Sequence, residues 1–151
     1  MGEIFIERLS EKTLSGAAML EKLCFSFPWS LESLKMLCRE GAVGFVALDG
    51  KSGNVLAYGG MLTVLDEGQI TNIATHPDAR RQGLGEKVTR ALVEYGEENG
   101  LALFSLEVRE SNSAAIALYE KLGFKKAGIR KNFYKLPVEN AVIMIKETET
   151  V

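Results

Sequence analysis

Arg80-Arg81-Gln82-Gly83-Leu84-Gly85 is the stretch on which the fold turns. It follows Gln69-Ile70-Thr71-Asn72-Ile73-Ala74-Thr75, which reads as a strand. It opens a helical pattern with apolar residues at Val88, Ala91, Leu92 and Tyr95, the i, i+3, i+4, i+7 spacing of one helix face. A strand therefore runs through a two-glycine loop into a helix. The first amides of a helix have no internal partner and carry the positive end of its dipole. Glycines leave those amides open, so a phosphate or pyrophosphate can rest on them, and Arg80 and Arg81 add charge beside it. A plain Arg-Gly turn gives the same letters, so the loop alone leaves both readings open. Two other phosphate loops do not fit. No G-x-x-x-x-G-K-[ST] string occurs, and Glu86, Lys87 and Val88 follow Gly85 where a dinucleotide fingerprint needs a third glycine.

Outward from the loop, the chain alternates strand and helix signals. Ile4 to Leu9 reads as a first strand. Leu14, Ala17, Ala18, Leu20, Leu23 and Cys24 form a helical stripe that Pro28 interrupts. Ser30 is a good N-cap for a second helix from Leu31 to about Arg39, ended by Gly41. Val43 to Leu48 and Val55 to Val64 read as strands joined by a turn. Asp66-Glu67-Gly68 turns into the fourth strand, and the helix after the glycine loop runs to about Asn99, closed by Gly100. Leu101 to Val108 is nearly continuous apolar sequence, as in a strand covered on both faces. Asn112 or Ser113 caps the next helix, and Gly123-Phe124 fits a Schellman ending. Segments of about Lys126–Tyr134 and Ala141–Lys146 are the last strands. The order β-α-α-β-β-β-α-β-α-β-β predicts an α/β (α+β) fold, a mixed sheet of six to seven strands with helices on both faces, as one domain over residues 1–151.

Composition narrows the function classes. With 151 residues, 46% of them apolar and 25% charged, the chain is long enough to bury its own core. A net charge of −2 argues against broad phosphate contacts, so no direct nucleic-acid binding is expected, while a basic protein partner suits it. Cys24 and Cys38 have no CxxC neighbour and His76 is the only histidine, so no metal is expected. Two free thiols suit a reducing cytoplasm. No apolar run has the length of a membrane span, and Met1-Gly2-Glu3-Ile4 lacks a basic stretch before an apolar one, so no membrane partner is expected.

A second stretch fixes a resemblance. Arg80 to Gly85 after a strand matches R-x-x-G-x-G, the acetyl-CoA pyrophosphate loop of the GNAT N-acetyltransferases. Leu106-Glu107-Val108-Arg109-Glu110-Ser111-Asn112 and the following helix, ending in Tyr119-Glu120-Lys121-Leu122-Gly123-Phe124, resemble that family's other signature. Phe27-Pro28-Trp29-Ser30, Leu65-Asp66-Glu67 and Asn72-Ile73-Ala74 extend the likeness to the bacterial RimI-type enzymes. The resemblance implies the GNAT fold with a mostly antiparallel sheet. It implies acetyl-CoA as cosubstrate and, as partner, the N-terminal alanine of a small-subunit ribosomal protein.

Amine acetylation needs a group to take the amine's proton, stabilisation of the developing oxyanion, and a proton for the leaving thiolate. Glu107 is the candidate base. From the residues alone a strand-end glutamate facing water, or one paired with Arg109, is the favoured reading; the resemblance makes Glu107 the base. Tyr119 is the candidate acid, although its stripe with Ala115, Ile116 and Leu122 reads as core. Asn112 reads as an N-cap, and the resemblance adds a cofactor contact. The resemblance also puts Ile73, Ala74 and Thr75 against the pantetheine arm through their backbone. It gives the pyrophosphate to Arg80, Arg81, Gln82, Gly83, Leu84, Gly85 and Glu86. Phe27 and Trp29 fit core packing or substrate contact. Tyr134, in Asn132-Phe133-Tyr134, is expected to line the peptide pocket, and Glu67 to receive the α-ammonium unless water solvates it. A small-amine or lysine acetyltransferase shares the loop, and a non-catalytic acyl-CoA-binding module would have lost Glu107 or Tyr119.

Overall fold

The computed structural model describes residues 2–148. Seven strands, β1 (Ile4–Arg8), β2 (Ala42–Asp49), β3 (Val55–Val64), β4 (Glu67–Thr75), β5 (Leu103–Arg109), β6 (Lys125–Lys135) and β7 (Val138–Glu147), form one sheet in the order β1-β2-β3-β4-β5-β7-β6. Every neighbouring pair is antiparallel except β4–β5. That parallel pairing covers only Glu67–Leu103, Gly68–Phe104 and Gln69–Ser105, after which the strands part. From Ile70 to Thr75, β4 is paired on its β3 side alone. Backbone groups left open on such an edge need another partner.

Helices cover both faces. On one side lie α1 (Leu14–Cys24) and α2 (Leu31–Lys35), on the other α3 (Leu84–Glu98) and α4 (Ser113–Lys121). The period-two alternation of β2 feeds both layers. Val46 packs with Leu20, Leu34 and Tyr58, whereas its neighbour Ala47 packs with Leu84 and Val88. A third cluster joins Leu92, Phe104, Leu106, Ile116, Tyr119 and Phe124, binding α3 and α4 to β5. Among the described residues no helix is long and apolar enough to cross a membrane.

Local signals act as their chemistry requires. Ser30 Oγ accepts the Ser33 amide at 3.1 Å and Asn112 Oδ1 accepts the Ala115 amide at 3.1 Å, each starting a helix. The Phe124 amide donates to the Tyr119 carbonyl and the Gly123 amide to that of Glu120, the paired bonds of a Schellman ending, with Gly123 at φ +99°.

Two expectations need correction. The second helix stops at Lys35, and Met36–Cys38 forms a 3-10 turn instead of continuing to Arg39. Leu34 and Leu37, three apart, are both fully buried, and the tighter turn aligns i with i+3. β5 is not covered on both faces. Phe104, Leu106 and Val108 are buried, while Leu103, Ser105, Glu107 and Arg109 are half-buried on the other face. β4 also carries a bulge, with Thr71 and Asn72 together opposing Gly60.

Candidate active site

Where β4 and β5 part, a cavity of about 670 Å³ opens among the α1–α2 loop, both strands, α4 and the end of β6. Glu107 and Tyr119 both line it. Glu107 alternates with Leu106 and Val108, which pack under α4, so its side chain leaves the sheet on the opposite face. One carboxylate oxygen, Oε2, is buried and has no hydrogen-bond partner among the described residues. Arg130 Nε lies 3.8 Å from it, beyond hydrogen-bond reach. The Arg109 pairing open in the sequence is not made. Arg109 pairs with Glu139 at 3.2 Å and donates to the carbonyls of Leu136 and Pro137. A buried oxygen whose lone pairs accept no hydrogen bond is costly, and it suits a group that must accept a proton from a substrate.

Tyr119 is core and cavity wall together. Its ring meets Phe124 edge-on at 5.9 Å. Burial, with Tyr134 nearby, pushes its hydroxyl up to about 12, so it keeps its proton at neutral pH. Tyr134 also lines the cavity. Burial and then the charge of Glu107 push it up to about 12, against the opposing charge of Arg109, whose guanidinium sits 4.4 Å over its ring. Asn112 caps α4 and lines the cavity at once. Trp29 packs against the α1–α2 core and lines the cavity, and Phe27 stands 65% exposed at its rim.

Glu67 stands apart from the cavity. It is the first residue of β4, not a turn residue, and its carboxylate accepts Ser105 Oγ at 3.1 Å on the closed end of the β4–β5 pair.

The glycine loop lies beyond the free end of β4. Arg81 and Gly83 both adopt left-handed backbone, at φ 67° and 73°. Gly83 precedes α3 and no side chain caps the helix. Leu84 is buried in the core beside Val88 and Ala79. Glu86 is paired with Lys121 at 2.8 Å and Arg90 at 3.2 Å, tying α3 to α4. A Cβ on Gly85 would reach toward Thr75 Oγ1, Ile73 and Leu118 at 3.5 to 4.0 Å, into the gap between β4 and α4. Ile73 lines the cavity, whereas Ala74 is buried against the α1 side. Arg80, Arg81 and Gln82 are exposed, with Arg80 Nη2 3.9 Å from Cys24 Sγ, which itself donates to the Thr75 carbonyl at 3.4 Å.

Glu21 adds a buried carboxylate behind the cavity wall. It is fully buried and accepts hydrogen bonds from the Trp29 amide, Asn72 Nδ2 and the Tyr58 hydroxyl. The signal was present: residue 21 stands on the apolar stripe, seven after Leu14 and three before Cys24.

Residues 15–124 match the acetyltransferase (GNAT) family. The chain is 40% identical over 141 residues to the [ribosomal protein bS18]-alanine N-acetyltransferase of Escherichia coli (strain K12), covering 92% of this chain and 94% of that one. A putative enzyme of the same name from Bacillus subtilis (strain 168) is 40% identical over 125 residues, 83% of each chain. The crystal structure of the ribosomal-protein-S18-alanine N-acetyltransferase from Escherichia coli superposes with a TM-score of 0.89 at 37% identity, covering 99% of this chain and 96% of the other. With the cavity, the glycine loop and these likenesses in agreement, the chain belongs to the GNAT acetyltransferase family.

Proposed function

We propose that the protein moves an acetyl group from acetyl-CoA to the free α-amine of a protein N-terminus, the acceptor being the N-terminal alanine of a small-subunit ribosomal protein. The observation that carries this reading is the buried Glu107 Oε2, which accepts no hydrogen bond among the described residues, in the same cavity as the protonated Tyr119 hydroxyl. Acetyl-CoA supplies an activated thioester. The open amides after Gly83 would hold its pyrophosphate, Arg80 and Arg81 would add charge, and the unpaired edge of β4 at Ile73 to Thr75 would guide its arm to the cavity. Glu107 takes the amine's proton and Tyr119 supplies one to the departing sulfur. Phe27, Trp29 and Tyr134 line the acceptor side. Glu67 has no role in this reading. The reading sets the reaction in the cytoplasm, where the unpaired thiols of Cys24 and Cys38 stay reduced.

Acceptor choice tests the reading. An α-ammonium titrates near 8 and lysine near 10.4, so at pH 7 the α-amine has a neutral fraction on the order of 10² larger. Turnover is expected on a peptide with a free N-terminal alanine, and on the order of 100-fold less on an N-blocked peptide bearing lysine. Equal rates would favour a lysine acetyltransferase on the same scaffold.

The cofactor path has its own test. At Gly83 any side chain is strained by φ 73°, so binding and folding effects would mix. Gly85 is cleaner, because a methyl there makes only ordinary contacts and removes a helix glycine. Gly85→Ala is expected to stabilise the fold by about 0.5–1 kcal/mol. The same methyl narrows the gap the arm would use, so acetyl-CoA affinity should fall about tenfold, or about 1.4 kcal/mol. Calorimetry that finds full affinity in the stabilised variant would remove this path.

A further inference from the structure

We infer that Glu21 is a positioning residue of the acceptor pocket: its buried carboxylate ties the α1–α2 loop to the bulge of β4 and thereby sets two walls of the cavity. The kinetic part of this inference rests on the acetyl transfer proposed above. Glu21 Oε1 accepts the backbone N–H of Trp29 at 2.7 Å, inside the loop. Glu21 Oε2 accepts Asn72 Nδ2 at 2.9 Å, on the bulge, and the hydroxyl of Tyr58 on β3. Trp29 and Asn72 both line the cavity, and Glu21 does not. It can act there only through them.

The carboxylate is hard to explain as a stabilising device. It is fully buried, and among the described residues no lysine, arginine or histidine pairs with it. Burying a charge costs several kcal/mol and is recovered only through well-placed donors, so an apolar side chain would serve the core at least as well. What a carboxylate offers, and a leucine does not, is acceptors aimed at a loop amide and a strand side chain in one place. Tyr58 remains a donor, because burial and the adjacent Glu21 charge hold its hydroxyl well above the usual tyrosine range. A second long-range hydrogen bond holds the loop, Ser26 Oγ to the Leu136 carbonyl at 3.1 Å, so Glu21 fixes its inner side and the β6–β7 hairpin its outer side. The glycine loop is anchored separately, by Leu84 in the α3 core and Glu86 on Lys121.

Trp29 is the only tryptophan, so its emission reports the tether directly. Glu21→Gln replaces one acceptor by an NH2 that must face either the Trp29 N–H or the Asn72 amide. Asn72→Asp sets two carboxylates against each other. The double variant restores an amide–carboxylate pair with its polarity reversed: the amide oxygen introduced at position 21 would accept from Trp29, and its NH2 would donate to the carboxylate introduced at position 72. In the full chain, each single variant should raise the KM for the alanine peptide about tenfold and leave that for acetyl-CoA within about twofold. Trp29 emission should shift to the red and become more accessible to acrylamide. The double variant should return both readouts close to wild type, a rescue that a purely structural loss would not give. If Glu21→Gln alone does not fold, Asn72→Asp against the double variant makes the same comparison. A folded single variant with wild-type peptide KM and emission would overturn the inference, as would a double variant no better than Asn72→Asp. If the wild type does not acetylate the peptide at all, the proposed function fails, and the emission series alone decides the tether.

Discussion

Glu107→Gln is expected to lower kcat at pH 7 by on the order of 10²-fold or more, with acetyl-CoA affinity and melting temperature close to wild type. The amide keeps the shape of the carboxyl group and cannot accept the proton. The pH dependence separates two parts of the loss. At pH 7 about one α-amine in ten is already neutral, so making the free amine available accounts for about tenfold. The remainder belongs to proton removal while the new N–C bond forms. The variant should therefore recover part of its rate as pH rises through about 8, where the amine sheds its own proton. The wild type should depend less on pH over that range. Stability should change little, because Oε2 has no hydrogen bond to lose and its ion pair with Arg130 is long, at 3.8 Å, with Arg130 largely exposed. A folded Glu107→Gln enzyme with near-normal kcat at pH 7 would refute the base assignment and point to water or another group.

The parts of this site legible in the sequence are those made by local chemistry. Gly83 and Gly85 mark the loop because a left-handed turn and an open helix start favour glycine there. Ser30, Asn112 and Gly123-Phe124 mark helix ends because their partners lie within a few residues. Glu107 and Tyr119 became readable only through a resemblance; by periodicity one was a strand-end charge and the other core. What stayed hidden depends on partners far along the chain. The parting of β4 from β5 after Gln69 leaves no mark in either strand, since it arises from how two segments distant in sequence diverge. Glu67 reads as a turn glutamate until Leu103 pairs with it and Ser105 holds its carboxylate. Arg109 reads as a partner for Glu107, yet Glu139 and the β6–β7 carbonyls take its guanidinium. Glu21 breaks an apolar stripe, and nothing near it in sequence announces Tyr58 or Asn72 as the donors that make its burial tolerable.

Tyr119→Phe is expected to lower kcat by a similar factor, on the order of 10²-fold, while acetyl-CoA affinity changes little. The substitution removes only the hydroxyl, and the ring keeps its edge-on contact with Phe124. A hydroxyl pushed up to about 12 is a weak acid beside a thiol that titrates near 8.5 in water. Complete transfer to such a thiolate would be uphill by several kcal/mol. Two things reduce that gap. The leaving sulfur would sit against the buried Tyr119, where lost solvation raises its own basicity, and a hydrogen bond that strengthens as charge develops already lowers the barrier. The raised pKa also gives a stability signature. With the native value above the ordinary 10, the tyrosine contributes stability that is present below about pH 10 and lost as pH climbs toward about 12. Phenylalanine has no such proton, so the variant's melting temperature should fall less steeply over that alkaline window. That slope confirms the burial of the hydroxyl whatever its role, and kcat then decides the role. A variant with the flatter alkaline melt and wild-type kcat would return Tyr119 to the core alone. The flatter melt with a hundredfold loss of kcat would fix it as the proton donor.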